Sequence, residues 1–260
     1  MYNVSSLTLN PNGPVLYLTL QNSGNGDRIG PETVQQLLNA FEFFEGNDTL
    51  RVLVIEGSNG IFSEGSTLNP DQIVQSNEPA IDIIRKHQVA NYLSKVTKPT
   101  IAAIDGKAYG QGLEIALACD IRIATSSASF GFPDSNNGTI PWDGATQRLP
   151  RLAGIGTATN MLLMGKLLTA SEALSVGLIV EIVPTKDLHP TAIDLAEQIA
   201  TSAPIAARYI KEAIKGSGEL PLGEGLRLEA DLNMLLFSTT DRAEGVSSFL
   251  EKRSPEFRGS

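Results

Sequence analysis

The sequence is poor in cysteine and histidine. Cys119 is the only cysteine, so the chain cannot form an internal disulfide, which fits a reducing compartment such as the cytoplasm. His87 and His189 are the only histidines, and neither belongs to a cluster with metal-ligand spacing. The sequence also lacks a Walker-type phosphate-binding motif. We therefore expect no metal ion and no redox cofactor.

Positive charge and long apolar runs are also scarce. The chain has 20 lysines and arginines against 29 acidic residues, a formal net charge of −9. This balance argues against a nucleic-acid partner or an anionic membrane surface. No apolar run approaches the length that spans a bilayer. The N-terminal residues 1–4 lack the pattern of a secretory signal, and residues 258–260 are not a peroxisomal tripeptide.

The first part of the sequence alternates between apolar strands and amphipathic helices. Asn12-Gly13 separates two β-rich runs and predicts a hairpin. Pro31 opens an apolar-periodic helix, and Arg51–Glu56 has the composition of a buried parallel strand. The final part has only helical patterns, enough for three or four helices. We predict an α/β core over residues 1–190 and a helical module over residues 191–260.

Two later elements are predicted from the same patterns. Residues from Pro79 to about Val96 predict one helix, on which His87 lies. A lone histidine on a helix is more typical of a packed or surface residue than of a catalytic one. Leu178–Val183 predicts a strand that Pro184 ends.

The most informative segment runs from Lys98 to Leu152. A β-rich run leads into a glycine-punctuated turn, and a short apolar helix follows from Glu114 to Cys119. This order exposes backbone N–H groups at a helix N-terminus, where they can stabilise charge on a carbonyl oxygen. Three carboxylates accompany the turn: Glu114, Asp134 and Asp143. They indicate acid–base chemistry beside an oxyanion site.

Each carboxylate also has a purely structural interpretation. Glu114 could complement the dipole of its own helix. Asp134 follows a proline and could be a turn residue. Asp143 precedes Gly144 and could be the N-cap of the next helix.

The central segment resembles the signature of the crotonase (enoyl-CoA hydratase/isomerase) superfamily. The matching motifs are Gly110-Gln111-Gly112-Leu113-Glu114, Cys119-Asp120-Ile121-Arg122-Ile123-Ala124, Gly138-Thr139-Ile140-Pro141 and Thr146-Gln147-Arg148-Leu149-Pro150. Similar matches continue at residues 163–166, 172–178, 240–245 and 249–253, so the resemblance covers nearly the whole chain. It implies an α/β fold with a crotonase-like ββα spiral core and a C-terminal helical trimerisation module. It also implies an acyl-CoA substrate and a homotrimer or hexamer.

The resemblance assigns roles to individual residues. The backbone N–H groups of Ser66 and Gln111 would form an oxyanion hole for a thioester enolate. Glu114 and Asp134 stand where hydratases carry two catalytic glutamates, which add water across an activated double bond. Gln111 replaces a usual glycine, and Asp134 is shorter than glutamate. The shorter side chain suits double-bond isomerisation, which needs a single carboxylate near that position.

Asp143 leaves a second reaction open. Ordinary hydratases have a small residue at this place, whereas the superfamily's β-diketone carbon–carbon hydrolases and aryl-CoA dehalogenases carry a functional aspartate close to it. In the hydrolases the aspartate partners a histidine nine residues earlier, and here that residue is Asp134. A β-diketone carbon–carbon hydrolase acting on a non-CoA substrate is therefore the alternative. A catalytically silent crotonase-fold subunit is a third hypothesis.

Three further residues are candidate substrate contacts. Trp142, the only tryptophan, is expected to line the substrate pocket. Lys252 and Arg253 resemble basic residues of the family that approach the phosphates of coenzyme A. Coenzyme A is expected only as part of the substrate, with no separate cofactor.

Overall fold

Two β-sheets form the frame of the molecule. The computed structural model describes residues 6–21, 28–68, 70–133 and 138–260. Its strands are β1 (Leu7–Asn12), β2 (Val15–Leu20), β3 (Val52–Gly57), β4 (Thr100–Ile104), β5 (Lys107–Tyr109), β6 (Ile121–Thr125), β7 (Ser129–Gly131), β8 (Leu168–Thr169) and β9 (Glu181–Val183). The larger sheet has the order β1-β2-β3-β4-β6-β9, and the smaller has the order β5-β7-β8.

Helices connect and cover these strands. They are α1 (Pro31–Gly46), α2 (Pro70–Gln75), α3 (Ala80–Lys86), α4 (Val89–Leu93), α5 (Gln111–Ala118), α6 (Ala145–Ala153), α7 (Ile155–Leu163), α8 (Ala170–Ser175), α9 (Leu188–Ala200), α10 (Pro204–Gly216), α11 (Leu222–Leu236) and α12 (Thr240–Glu251). In the part of the chain that the structure describes, none of them is long and apolar enough to cross a bilayer.

The predicted hairpin and the predicted parallel strand are both confirmed. β1 pairs with β2 in antiparallel register around Gly13, whose φ of 56° suits the tight turn. β3 lies parallel to β2 on one side and to β4 on the other. Because parallel neighbours need a crossover, α1 returns the chain between β2 and β3.

The large sheet is buried on both faces. Leu53 and Ile55 of β3 contribute to one core, which also contains the apolar face of α1. Val52 and Val54 alternate with them and contribute to a second core under α9. Burial on both faces explains why β3 is an unbroken apolar run rather than an alternating one.

The single helix predicted from Pro79 to about Val96 is wrong. The structure has α3 and α4 instead, separated at His87 and Gln88. The backbone N–H groups of Ala90 and Asn91, at the start of α4, donate to the carboxylate of Asp143. A distant acceptor thus provides a second helix start where no glycine or proline interrupts the sequence.

The strand predicted over Leu178–Val183 is shorter than expected, since β9 begins at Glu181. The carbonyl oxygen of Leu178 accepts from Nε of Arg122 at 2.7 Å. That guanidinium also donates to carbonyl oxygens at the C-terminal end of α5. It therefore satisfies helix carbonyls and withdraws Leu178 from the sheet.

The chain after β9 is helical, as predicted. Four helices, α9 to α12, occupy it within the described residues. α9 packs against the large sheet through Ala192, Ala196 and Ala200. By contrast, α11 has only one buried residue, Leu232.

Candidate active site

The start of α5 presents a backbone amide, that of Gln111, which has no acceptor among the described residues. Gly110 precedes the helix with φ 49° and ψ −125°, a conformation open to glycine but strained for other residues. All residues of α5 are buried, so the helix is fixed within the core. Gln111 is its first residue, and the N–H groups of a first turn have no acceptor inside the helix.

A second amide, that of Ser66, lies beside this helix start. Ser66 forms a parallel bridge with Ile29. In this bridge the N–H of Ile29 donates to the carbonyl oxygen of Gly65 at 2.7 Å, and the N–H of Thr67 donates to the carbonyl oxygen of Ile29 at 3.0 Å. In such a bridge the N–H of Ser66 itself points away from Ile29. A Cβ built on Gly65 would lie 3.7 Å from the Gln111 nitrogen. The two amides assigned to an oxyanion hole are therefore on neighbouring segments, and neither donates to another described residue.

Glu114 lies one helical turn into α5 and is only 2% exposed. Its Oε1 accepts from the backbone N–H groups of Asp143 at 2.9 Å and Ala145 at 3.0 Å. Glu114 thereby caps the N-terminus of α6, because Gly144 at the N-cap position has no side chain to do so. Oε2 of Glu114 accepts no hydrogen bond within the described ranges, so this oxygen is available for proton transfer.

Burial raises the pKa of Glu114 to about 7. The N–H of Ala145 opposes this rise, the nearby Asp143 carboxylate adds to it, and Arg148 lowers it. A carboxyl group with this pKa exchanges protons readily at neutral pH. It therefore suits a general acid or base.

Asp143 binds a different helix from the one expected. Its carboxylate accepts from Ala90 N–H at 2.7 Å and Asn91 N–H at 2.8 Å, so it caps α4 rather than α6. The residue is 1% exposed, and burial raises its pKa to about 6, against the effect of these two N–H groups. Since both oxygens already accept hydrogen bonds, the geometry favours a positioning role over a direct part in the reaction.

Arg148 is a site residue that sequence reasoning did not single out. Its Nη1 donates to the carbonyl oxygen of Asp143 at 2.7 Å, and its charge opposes the raised pKa values of Glu114 and Asp143. A Cβ on Gly144 would lie 2.0 Å from Nη1, so glycine leaves room for the guanidinium. The pairing of a glycine with an arginine one helical turn later was the only signal of this contact.

The remaining predicted residues lie in different surroundings. Asp134 falls outside the described residues. Trp142 is half-buried beside Asp143, and its carbonyl oxygen accepts from Nε2 of Gln88 at 2.9 Å. Arg253 is exposed and paired with Glu244 at 2.8 Å through Nη2, and the neighbouring Lys252 ends α12 with a φ of 57°. Throughout residues 6–21, 28–68, 70–133 and 138–260, no cluster of three or more potential ligands is placed to hold a metal ion.

The stability of the folded chain should fall as the pH rises from 5 to 8. Glu114 has an ordinary pKa of 4.5 and a folded pKa of about 7, so the folded state holds the proton longer. The free energy of unfolding should therefore decrease by up to about 3 kcal/mol as the pH rises from 5 to 8. Urea unfolding at both pH values, in wild type and Glu114→Gln, measures the effect.

Wild type should lose stability relative to Glu114→Gln between the two pH values. Glu229→Gln removes an exposed carboxylate on α11 and is the matched control. A stability difference between wild type and Glu114→Gln that is the same at pH 5 and pH 8 would contradict the raised pKa of Glu114.

Two neighbouring backbone amides without an acceptor among the described residues, together with a buried carboxyl group of raised pKa, suit an enzyme that stabilises an oxyanion while moving protons. The model of the enoyl-CoA hydratase/isomerase family matches residues 10–260. The chain belongs to this family and is an enoyl-CoA hydratase/isomerase-like enzyme with the crotonase fold. The fold and the family expected from the sequence are thus confirmed.

Curated relatives cover almost the full length of the chain. It is 35% identical over 256 residues to the 2,3-dehydroadipyl-CoA hydratase of Escherichia coli, covering 98% of this chain and 100% of that one. It is 34% identical to the mitochondrial methylglutaconyl-CoA hydratase of Mus musculus, covering 95% of this chain and 80% of that one.

Solved structures show the same fold. The crystal structure of an enoyl-CoA hydratase from Bacillus anthracis matches with a TM-score of 0.90 at 33% identity, covering 98% of this chain and 100% of that one. That of DspI from Pseudomonas aeruginosa also has a TM-score of 0.90, at 32% identity, covering 99% of this chain and 98% of that one.

Proposed function

We propose that the protein adds water across the double bond of an enoyl-CoA thioester. The observation that carries the proposal is the buried Glu114 carboxyl, whose Oε2 accepts no hydrogen bond from the described residues and whose pKa is raised to about 7. It stands on the same short helix that presents the Gln111 amide. The names of the similar proteins, which include several hydratases, support the same reaction.

The oxyanion hole supplies the electrostatic part of this reaction. The thioester oxygen accepts from the N–H groups of Ser66 and Gln111. As water adds to the β-carbon, the electrons of the double bond move towards the thioester, and negative charge grows on that oxygen. Fixed backbone amides in a buried site stabilise such charge without reorganising.

Two carboxyl groups move the protons. Oε2 of ionised Glu114 takes a proton from the attacking water while its oxygen bonds to the β-carbon. Asp134 is the proposed acid that returns a proton to the α-carbon, which collapses the enolate to the saturated thioester. The carboxylate of Asp143 joins residues 143–145 to the start of α4. The same residues present the N–H groups of Asp143 and Ala145 to Glu114.

Isomerisation is the second candidate reaction, because the same oxyanion hole with one proton-carrying carboxyl group also moves a double bond.

The β-diketone hydrolase alternative has less support. Both oxygens of Asp143 accept from backbone N–H groups, and neither histidine forms a hydrogen bond to that carboxylate among the described residues.

Incubation with short and medium enoyl-CoAs, followed by mass measurement, tests the proposal. Hydration adds the mass of one water to the thioester. An unchanged mass with a shifted double bond indicates isomerisation instead. Failure to bind any acyl-CoA would overturn the proposal and favour the β-diketone hydrolase or the silent subunit.

Lys252 and Arg253 are proposed to contact the phosphates of coenzyme A. Within one chain, Arg253 is neutralised by Glu244 and Glu251 at the end of α12. Lys252 is exposed beside it. A reduced affinity for CoA in Lys252→Ala, with kcat unchanged, would support the contact.

A homotrimer, or a hexamer formed from two trimers, is proposed from the apolar surface of the C-terminal helices. Leu222, Phe249 and Leu250 are 79%, 82% and 73% exposed. An apolar groove of about 560 Å³ lies among α10, α11 and α12. Exposed apolar surface of this extent is typical of a protein interface.

Light scattering should therefore give a mass three or six times the 27.7 kDa of one chain. Phe249→Asp should shift the population towards smaller species, while Phe43→Asp, at an exposed position of α1, is the control. A monomer of the wild type at micromolar concentration would contradict the proposal.

The single buried cysteine fits the cytoplasmic location that we also propose.

A further inference from the structure

Three buried polar atoms beside the candidate active site have no hydrogen-bond partner in the described part of the chain. They are Nε2 of His87, Oε1 of Gln111 and Nε1 of Trp142. A buried polar group left unpaired costs about 1–3 kcal/mol. The presence of three such atoms around one helix start indicates a place where a ligand completes the hydrogen bonding.

The three residues belong to one hydrogen-bonded unit. Nε2 of Gln111 donates to the carbonyl oxygen of His87 at 2.5 Å. Nε2 of Gln88, the next residue, donates to the carbonyl oxygen of Trp142 at 2.9 Å. The Asp143 carboxylate then joins the same turn to α4. We call His87, Gln111 and Trp142 the polar triad.

The polar triad offers one donor and two acceptors. Nδ1 of His87 lies 2.7 Å from the carbonyl oxygen of Ile83, so Nδ1 carries a proton, and in a ring with only that proton Nε2 is an acceptor. The Gln111 amide directs its nitrogen at His87, which leaves Oε1 as an acceptor. The indole Nε1–H of Trp142 can only donate.

We propose that the polar triad binds a hydroxyl group on the acyl chain of the substrate, so that the enzyme prefers hydroxyl-bearing acyl-CoAs to plain alkyl ones. This inference rests on the proposed acyl-CoA function. The hydroxyl oxygen accepts from Nε1–H of Trp142, and its hydrogen is donated to Oε1 of Gln111 or Nε2 of His87.

Other acyl groups fit the polar triad less well. A plain alkyl chain leaves all three polar atoms unpaired. A carboxylate cannot donate, and it meets the two acceptors as well as the nearby Glu114 and Asp143 carboxyl groups. Water has the same hydrogen-bonding chemistry as a hydroxyl group, so it is the competing occupant.

Binding of matched pairs of saturated acyl-CoAs tests the inference, because saturated thioesters bind without being hydrated. Each pair has one chain length, with a hydroxyl group on one member and none on the other, and the hydroxyl is moved along the chain beyond the β-carbon, because the β-hydroxy thioester is the product of the proposed hydration. Titration calorimetry should find at least one hydroxyacyl-CoA that binds about tenfold more tightly than its alkyl match.

Trp142→Phe should remove that preference, since phenylalanine keeps the ring but loses the N–H. Tyr92→Phe is the matched control, because it removes an aromatic hydroxyl that donates to Glu42 at 2.9 Å, outside the polar triad. A preference that survives Trp142→Phe would overturn the proposed contact.

Equal affinities within every pair for the wild type would show that the polar triad holds only water, and this comparison needs no variant. If enoyl-CoAs were still converted, the proposed function would stand while this inference failed. If no acyl-CoA bound at all, both would fall.

Discussion

Replacing Glu114 by glutamine is expected to lower kcat for enoyl-CoA hydration by about a thousandfold, with the fold preserved. The amide oxygen of glutamine can still accept from the N–H groups of Asp143 and Ala145, so the cap of α6 remains. The substituted amide cannot exchange a proton with water or with a carbon atom. Discontinuous or coupled assays with a short enoyl-CoA measure the change in kcat.

The affinity for coenzyme A should be almost unchanged in this variant, because Glu114 faces the reacting atoms in the proposed complex. Glu229→Gln should keep full activity. If Glu114→Gln retained more than a tenth of the wild-type kcat, another group would have to move the proton, and the assignment of Glu114 would be wrong. A wild type without measurable activity would instead favour the silent subunit.

The turn around Gly110 could be predicted from sequence because its cause is local. A β-rich run, a glycine-punctuated turn and an apolar helix determine each other's conformation over a few residues. The structure accordingly has Gly110 at a positive φ and Gln111 as the first residue of α5. The sequence patterns were therefore sufficient to place Glu114 at the start of a short apolar helix, but this helix begins three residues earlier than predicted, at Gln111.

The partners of the buried carboxylates could not be predicted, because they lie far along the chain. Local reasoning paired Glu114 with the dipole of α5 and Asp143 with the start of α6. In the structure Glu114 caps α6, and Asp143 caps α4 through Ala90 and Asn91. Periodicity shows which face of a helix is buried, but it does not show which distant helix end will need an acceptor.

The same limit explains the errors in secondary structure. The break between α3 and α4 depends on the Asp143 carboxylate, and the late start of β9 depends on the Arg122 guanidinium. The three-residue strands β5 and β7 are too short to show an alternation of their own. They exist because each pairs with a neighbour across the small sheet.

Substitution of Gly110 by alanine is expected to reduce kcat/KM by about a hundredfold to a thousandfold. The combination of φ 49° and ψ −125° costs a residue with a Cβ about 1–3 kcal/mol, so the backbone will rotate to relieve the strain. Gln111 follows immediately, and any such rotation turns its N–H away from the thioester oxygen. In other enzymes, loss of one oxyanion-hole donor lowers the rate by a similar factor.

The loss should appear mainly in kcat, because the amide interacts most strongly when charge has developed on the oxygen. Gly156→Ala is the control, since nothing lies within 4 Å of the position of its Cβ and its helix, α7, accepts alanine readily. Equal thermal stability of the two variants would separate the catalytic effect from a folding effect. A Gly110→Ala enzyme with wild-type kcat would show that the Gln111 N–H does not stabilise the transition state, and the oxyanion hole would then have to be built from other donors.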